Sequence, residues 1–318
     1  MLPDFIPEGI DRELYEGVFQ MSKESTVGRT VRVAAVCIGT GGDRDAKIKQ
    51  AIEYIHVSGE NHVDIACLPE AFAGTETEAI PGPTTDAITQ VARLHRMYVI
   101  CPICENAGET SYNTSVLIDR EGEIIGTYRK VFVFWGEGLS PGREGVKVFD
   151  TDFGRISILT CFDLNFAELW HDADALGAEI VFWPSAYSGG MPLNAFAMLY
   201  HYYIVPVGSG NIIDITGETV KDICEPKEKL FIADLDLDRT FIHTNFTGEK
   251  VARLLEEHKA EVVQEHFYEM EAWYLLKAVK PGVSVRELCS EYEIETLRQY
   301  QHRSRRQINE IRRTSGVV

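Results

Sequence analysis

The apolar run Ile156-Ser157-Ile158-Leu159-Thr160 stops at Cys161, and beyond it Phe162 to Trp170 place their apolar residues at helical spacing. This reads as a buried strand, a sharp turn and an amphipathic helix, and with the alternating helical and strand segments and hairpins along the rest of the chain it fits a layered α/β domain. A cysteine there has its thiol at the lip of the sheet, beside the unpaired N–H groups of the following helix's first turn. Such a position suits a nucleophile. Most buried cysteines are inert small hydrophobes, and Cys37, Cys67, Cys101, Cys104, Cys224 and Cys289 read that way.

Two other stretches favour the nucleophile. In Val63-Asp64-Ile65-Ala66-Cys67-Leu68-Pro69-Glu70, a buried parallel strand ends in proline and then a glutamate. Glu70 could simply begin a loop, yet a carboxylate where a buried strand meets the sheet edge is partly desolvated and fitted to general-base work. In Gly126 to Gly142, Lys130 ends a strand and enters a loop rich in aromatic residues and glycine. A lysine there could snorkel to solvent. Beside a cysteine, its ammonium would favour the thiolate and stabilise a developing oxyanion.

Glu70, Lys130 and Cys161, each ending an apolar strand, resemble the catalytic triad of the nitrilase superfamily of carbon–nitrogen hydrolases. The matching motifs are Leu68-Pro69-Glu70, Tyr128-Arg129-Lys130 and Thr160 to Glu168, and Glu137-Gly138-Leu139-Ser140-Pro141-Gly142 is similar to the loop carrying a second glutamate in the amidase and formamidase branch. The resemblance spans roughly residues 31 to 240. It implies a four-layer α-β-β-α sandwich. It also implies a mechanism in which Glu70 is the base, Lys130 and the Phe162 main-chain N–H hold the oxyanion, and Glu137 orients substrate or water, with no metal or organic cofactor.

Composition narrows the partners. A net charge of −18 over 318 residues argues against nucleic acid or an anionic membrane surface. There is no run of about 20 apolar residues for a helical membrane span. The first residues, Met1-Leu2-Pro3-Asp4, lack the regions of a signal peptide, so a cytoplasmic, reducing compartment with free thiols is expected. The Cys101/Cys104 spacing suggests metal or redox chemistry less than sheet packing, since no second pair completes a zinc site. Gly39-Thr40-Gly41-Gly42 lacks the lysine and hydroxyl of a phosphate loop and reads as a tight turn.

Three segments are expected: an extension over 1–29 with an amphipathic stretch near Arg12 to Met21, a hydrolase domain over 30–247, and a helical extension over 248–318. In the last, 249–280 reads as one long Glu-rich helix broken by Pro281-Gly282, with Ser284 capping a further helical stretch to about Arg313. Its basic end, His302-Arg303-Ser304-Arg305-Arg306 and Arg312-Arg313, is a solvated face or an arm binding a second subunit, and homo-oligomers are common in the family it resembles.

The expected substrate is a small amide or N-carbamoyl (ureido) compound. Cys161-Phe162-Asp163 is similar to the amidase and carbamoylase branches, and Leu164 and Asn165 stand where an arginine often grips a substrate carboxylate. Trp135 and Tyr187, with Phe134 and Trp183, suggest an apolar pocket wall. Nitrile hydrolysis, transfer of the acyl group to another amine, and a catalytically silent binding or assembly protein are the competing readings.

Overall fold

The computed structural model describes residues 27–220 and 229–315. The expected amphipathic stretch near Arg12 to Met21 and Cys224 lie outside them. Val31–Leu235 form one compact unit, and the described residues up to Thr30 together with those from Asp236 onward form a second.

In the larger unit β1 (Thr30–Val36), α1 (Arg44–Glu60), β2 (Ile65–Cys67), β3 (Thr77–Glu78), α2 (Pro83–His95), β4 (Tyr98–Asn106), β5 (Ser111–Ile118) and β6 (Ile124–Arg129) follow one another. Then come β7 (Val148–Asp150), β8 (Arg155–Ile158), a 3-10 turn (Cys161–Asn165), α3 (Ala167–Ala175), β9 (Ile180–Trp183), α4 (Met191–Tyr200), β10 (Tyr203–Pro206) and β11 (Leu230–Asp236). One sheet has the order β11-β1-β2-β4-β5-β6 with β3 beside β4, and the other β10-β9-β8-β7. These sheets are the inner layers of a four-layer α-β-β-α sandwich. Ala51 and Ile55 of α1 and Ile88, Val91 and Ala92 of α2 pack on the first sheet's core of Ala34, Val36, Ala66, Val99 and Val116. Asp43 caps α1 by accepting the Ala46 N–H at 2.9 Å. Against the second sheet, Trp170 of α3 stacks on Phe196 of α4 with rings 4.7 Å apart.

The strands β1, β2 and β4 run parallel, as do β8, β9 and β10. Parallel strands return through helices and leave their C-terminal ends at one edge, where connecting loops are free to carry side chains of any chemistry. Between β5 and β6 lies the expected hairpin at Arg120-Glu121-Gly122. Cys101 and Cys104 both sit in β4; three residues apart on a strand, they point to opposite faces, and Cys101 is packed in the core.

The second unit corrects the long helix expected over 249–280. Only α5 (Gly248–Glu257) is helical there, and β13 (Val262–Tyr268) and β14 (Trp273–Ala278) form an antiparallel hairpin that β12 (Thr240–His243) completes into a three-stranded sheet. The physical reason lies in Val262, Val263, Phe267, Tyr268, Trp273 and Tyr274, β-branched and aromatic residues whose strand preference outweighs the local glutamates. Helices α6 (Val285–Glu291) and α7 (Leu297–Thr314) follow. Ser284 does cap α6, accepting the Glu287 N–H. Buried Asp238 supports the same helix end, accepting from the Ser284 hydroxyl at 2.7 Å and the Val285 N–H at 2.5 Å. Asp238→Ala leaves these donors unsatisfied and is expected to destabilise this unit by about 1–2 kcal/mol, read as a lower urea midpoint at unchanged slope.

Candidate active site

Three strand ends bring the chemistry together. After β2, the Leu68 N–H still bonds Ile100 O at 3.0 Å, and then Pro69, with no N–H, ends the ladder and turns Glu70 inward, 5% exposed. After β6, Lys130 stays in the ladder through its N–H to Asn113 O at 2.9 Å, while its carbonyl accepts from Gly142 N at 2.8 Å. Only glycine fits at 142, because a Cβ there would lie 2.3 Å from Arg129 O. After β8, Cys161 adopts φ +46°, a left-handed conformation that costs a non-glycine residue about 1–3 kcal/mol and marks the elbow. Its N–H bonds Pro184 O at 3.1 Å and its carbonyl accepts from Trp183 Nε1 at 3.2 Å.

Lys130 is the centre of the cluster. Its fully buried ammonium lies 2.9 Å from Glu70 Oε1 and 2.5 Å from Glu137 Oε1. Asn113 Nδ2 bridges the same two carboxylates, donating to Glu70 Oε1 at 2.8 Å and Glu137 Oε2 at 3.2 Å. The Ala186 N–H, just past β9, donates to Glu70 Oε2 at 3.1 Å. Glu70 is thereby held from both sheets. The Glu137 loop closes on itself, with Phe134 N–H donating to Glu137 Oε1 at 3.1 Å. Burial works against the Lys130 ammonium, but the carboxylates of Glu70 and Glu137 outweigh it and raise its pKa above the ordinary lysine value.

The sulfur of Cys161 lies against the Glu70 carboxylate and the Ser185 hydroxyl. Burial first, and then the negative charge of Glu70, push the thiol up to about 12, with Lys130 pulling only partly the other way. The resting sulfur is therefore a neutral thiol at pH 7. The Lys130 ammonium pulls toward the thiolate, as expected, but burial and Glu70 outweigh it.

Glu70, Lys130, Glu137 and Cys161 thus converge from segments far apart in the chain. Phe162 is the second residue of the 3-10 turn, and among the described residues none accepts a hydrogen bond from its N–H. Tyr187 is also near: it packs edge-on to Trp183, and burial together with the charges of Cys161 and Glu70 raises its hydroxyl pKa. Trp135, 87% exposed, stands outside; it meets Phe134, whose ring in turn meets Phe162 at 5.7 Å.

Four participants escaped the sequence reading: Asn113, Ser185, the Ala186 N–H and Asp163. The first looked like one polar residue in a strand, and a main-chain donor carries no sequence signal. Asp163 is fully buried, and its carboxylate accepts from the Tyr128 hydroxyl, the Phe132 N–H and the Thr160 N–H. Its place two residues after Cys161 was the available clue.

The family model of the carbon–nitrogen hydrolases matches residues 32–240. This chain belongs to that family. Among similar members, the omega-amidase of Bos taurus is 28% identical over 179 residues, half of this chain and 64% of that protein. Beta-ureidopropionase of Arabidopsis thaliana is 33% identical over 164 residues, 45% of this chain and 40% of that one. The chain thus spans well under two thirds of the Arabidopsis protein and just under two thirds of the bovine one. The crystal structure of an amidase from Nesterenkonia sp. shares the hydrolase fold, with TM-score 0.59 at 20% identity, covering 67% of this chain and 92% of that one.

Because Glu70's charge raises the Cys161 pKa, Glu70→Gln is expected to lower it. For a largely protonated thiol each pKa unit is about tenfold in thiolate. Iodoacetamide should therefore alkylate Cys161 severalfold faster at pH 8 in this variant, as followed by peptide mass spectrometry; an equal or slower rate would contradict the electrostatic account.

Proposed function

We propose that this chain hydrolyses a non-peptide C–N bond in a small amide or N-carbamoyl compound through a thioester on Cys161, releasing ammonia or an amine. The observation that carries this is one buried constellation in which Glu70 faces the Cys161 thiol while hydrogen-bonded to Lys130. Glu70 takes the thiol proton as sulfur attacks the carbonyl carbon. The oxyanion that forms accepts from Lys130 Nζ and the Phe162 N–H. The tetrahedral centre collapses, the C–N bond breaks, and Glu70 returns its proton to the departing nitrogen. Water then gives a proton to Glu70 and adds to the thioester; the C–S bond breaks and the proton returns to sulfur. Glu137, held by Lys130 and Asn113, orients substrate or water.

The names of the relatives support both amides and ureides. An uncharged acyl group suits the surroundings, since Leu164 is buried and Asn165 donates its amide to Phe162 O at 3.1 Å, leaving neither to grip a carboxylate. Tyr187 and, further out, the Phe134–Trp135 pair form the rim against which an apolar substituent would pack. The test is ammonia release from small primary amides, N-carbamoyl amines and nitriles. Turnover is expected from amides or ureides, to be abolished in Cys161→Ala and reduced by about 10²–10⁴-fold in Glu70→Gln with unchanged circular dichroism. Release only from nitriles, or substantial turnover in Glu70→Gln, would refute the reading.

We further infer a homo-oligomer, in a reducing compartment such as the cytoplasm, with α7 as the arm. Beyond Arg303 this helix is exposed and carries Arg305, Arg306, Arg312 and Arg313 with Ile308 and Ile311 bare, on a chain of net charge −18. Val285, Leu288 and Cys289 belong to the second unit's core, so a truncation must spare them. Removing residues 305–318 is expected to lower the mass seen by light scattering; an unchanged mass would exclude the arm.

A further inference from the structure

The Asp163 carboxylate takes no part in the chemistry above, yet it is fully buried and accepts hydrogen bonds from both sides of the site. Oδ2 accepts from the Tyr128 hydroxyl at 2.7 Å and the Thr160 N–H at 2.9 Å, and Oδ1 from the Phe132 N–H at 2.8 Å. Tyr128 and Phe132 stand two residues before and after Lys130; Thr160 immediately precedes Cys161. We propose that Asp163 is a positioning residue whose ionised carboxylate staples the backbone around Lys130 to the peptide entering Cys161, holding Nζ and Sγ in register. The inference rests on the function proposed above.

An ionised aspartate suits this place because it is acceptor-only. In an asparagine whose oxygen kept the Tyr128 and Thr160 bonds, the amide NH₂ would face the Phe132 N–H, donor against donor, and release the Lys130 segment. Burial pushes the Asp163 carboxyl up to about 6, opposed by the Phe132 and Thr160 N–H groups, the Tyr128 hydroxyl and the charge of Lys130. The sign follows: a carboxylate raised in the folded state contributes stability at low pH that is lost as pH rises through about 6. Its ionisation at neutral pH therefore works against the fold, and stability alone gives no reason for keeping it. Below about pH 6 the group takes up a proton, one acceptor position becomes a donor, and the staple loosens.

The experiment is the pH dependence of kcat and kcat/KM for the full chain, its Tyr128→Phe variant and its Asp163→Asn variant. Tyr128→Phe is nearly isosteric and does not touch Glu70, but it removes one donor to the carboxylate. The acid limb of kcat is expected to move up by about half a unit or more, with the plateau at higher pH kept. Asp163→Asn is expected to lower kcat at least tenfold with KM little changed and to erase that limb. An acid limb that stays in place in Tyr128→Phe, or full kcat in Asp163→Asn, would overturn the proposal. Alkylation of Cys161 by chloroacetamide, followed across the same pH range, needs no turnover. Should no substrate be hydrolysed, the proposed function fails by itself. The staple is then judged by whether a deflection in the alkylation profile near pH 6 moves with Tyr128→Phe; its absence would sink the staple alone.

Discussion

A fully buried ammonium between two carboxylates is the constraint around which the larger unit is arranged. Removing an ion the size of the Lys130 ammonium from water costs several kcal/mol even after relaxation, and only close, well-oriented partners recover it. Glu70 and Glu137 supply the charge, Asn113 joins them, and the Ala186 N–H takes the remaining Glu70 oxygen. Each partner arrives from a different strand end, so the cluster exists only when β2, β5, β6 and β9 are all in register. The same desolvation that makes the cluster expensive makes its charges effective, because little water is left to screen them.

The cluster also sets where the proton rests. A cysteine paired with an imidazolium is ionised before substrate arrives. Here burial and an adjacent carboxylate favour the neutral thiol, so in the proposed mechanism nucleophile and base are linked by a single proton that moves as the C–S bond forms. In that mechanism the Lys130 ammonium also meets the negative charge that develops on substrate oxygen. A resting thiol of this kind is also protected from oxidation, which requires the thiolate.

The sequence carried the strand elbows of Glu70, Lys130 and Cys161 because each couples an apolar run to an abrupt polar stop, a pattern of period and punctuation. The order of the parallel strands lay beyond it, since pairing between β1 and β2 or β8 and β9 is decided by packing across long separations. Asn113 and Ala186 were hidden for different reasons: an asparagine within a strand has several ordinary uses, and at 186 the donor is backbone. In β13 and β14, glutamates suggested a helix, while the strand preference of Val262, Val263, Phe267, Tyr268, Trp273 and Tyr274 prevailed. Asp163 was legible as a residue but not as a brace, because its partners Tyr128 and Phe132 lie some thirty positions away.

The main chain of Cys161 is tied at both ends to the end of β9, its N–H to the Pro184 carbonyl and its carbonyl to the Trp183 indole N–H. With the main chain anchored on either side, rotation about the Cα–Cβ bond is the principal freedom left to the sulfur. In the proposed mechanism attack, thioester and release are then reached along one arc, so the substrate carbonyl has to come to the sulfur. Selectivity in such a site is a matter of which molecules can present a carbon on that arc.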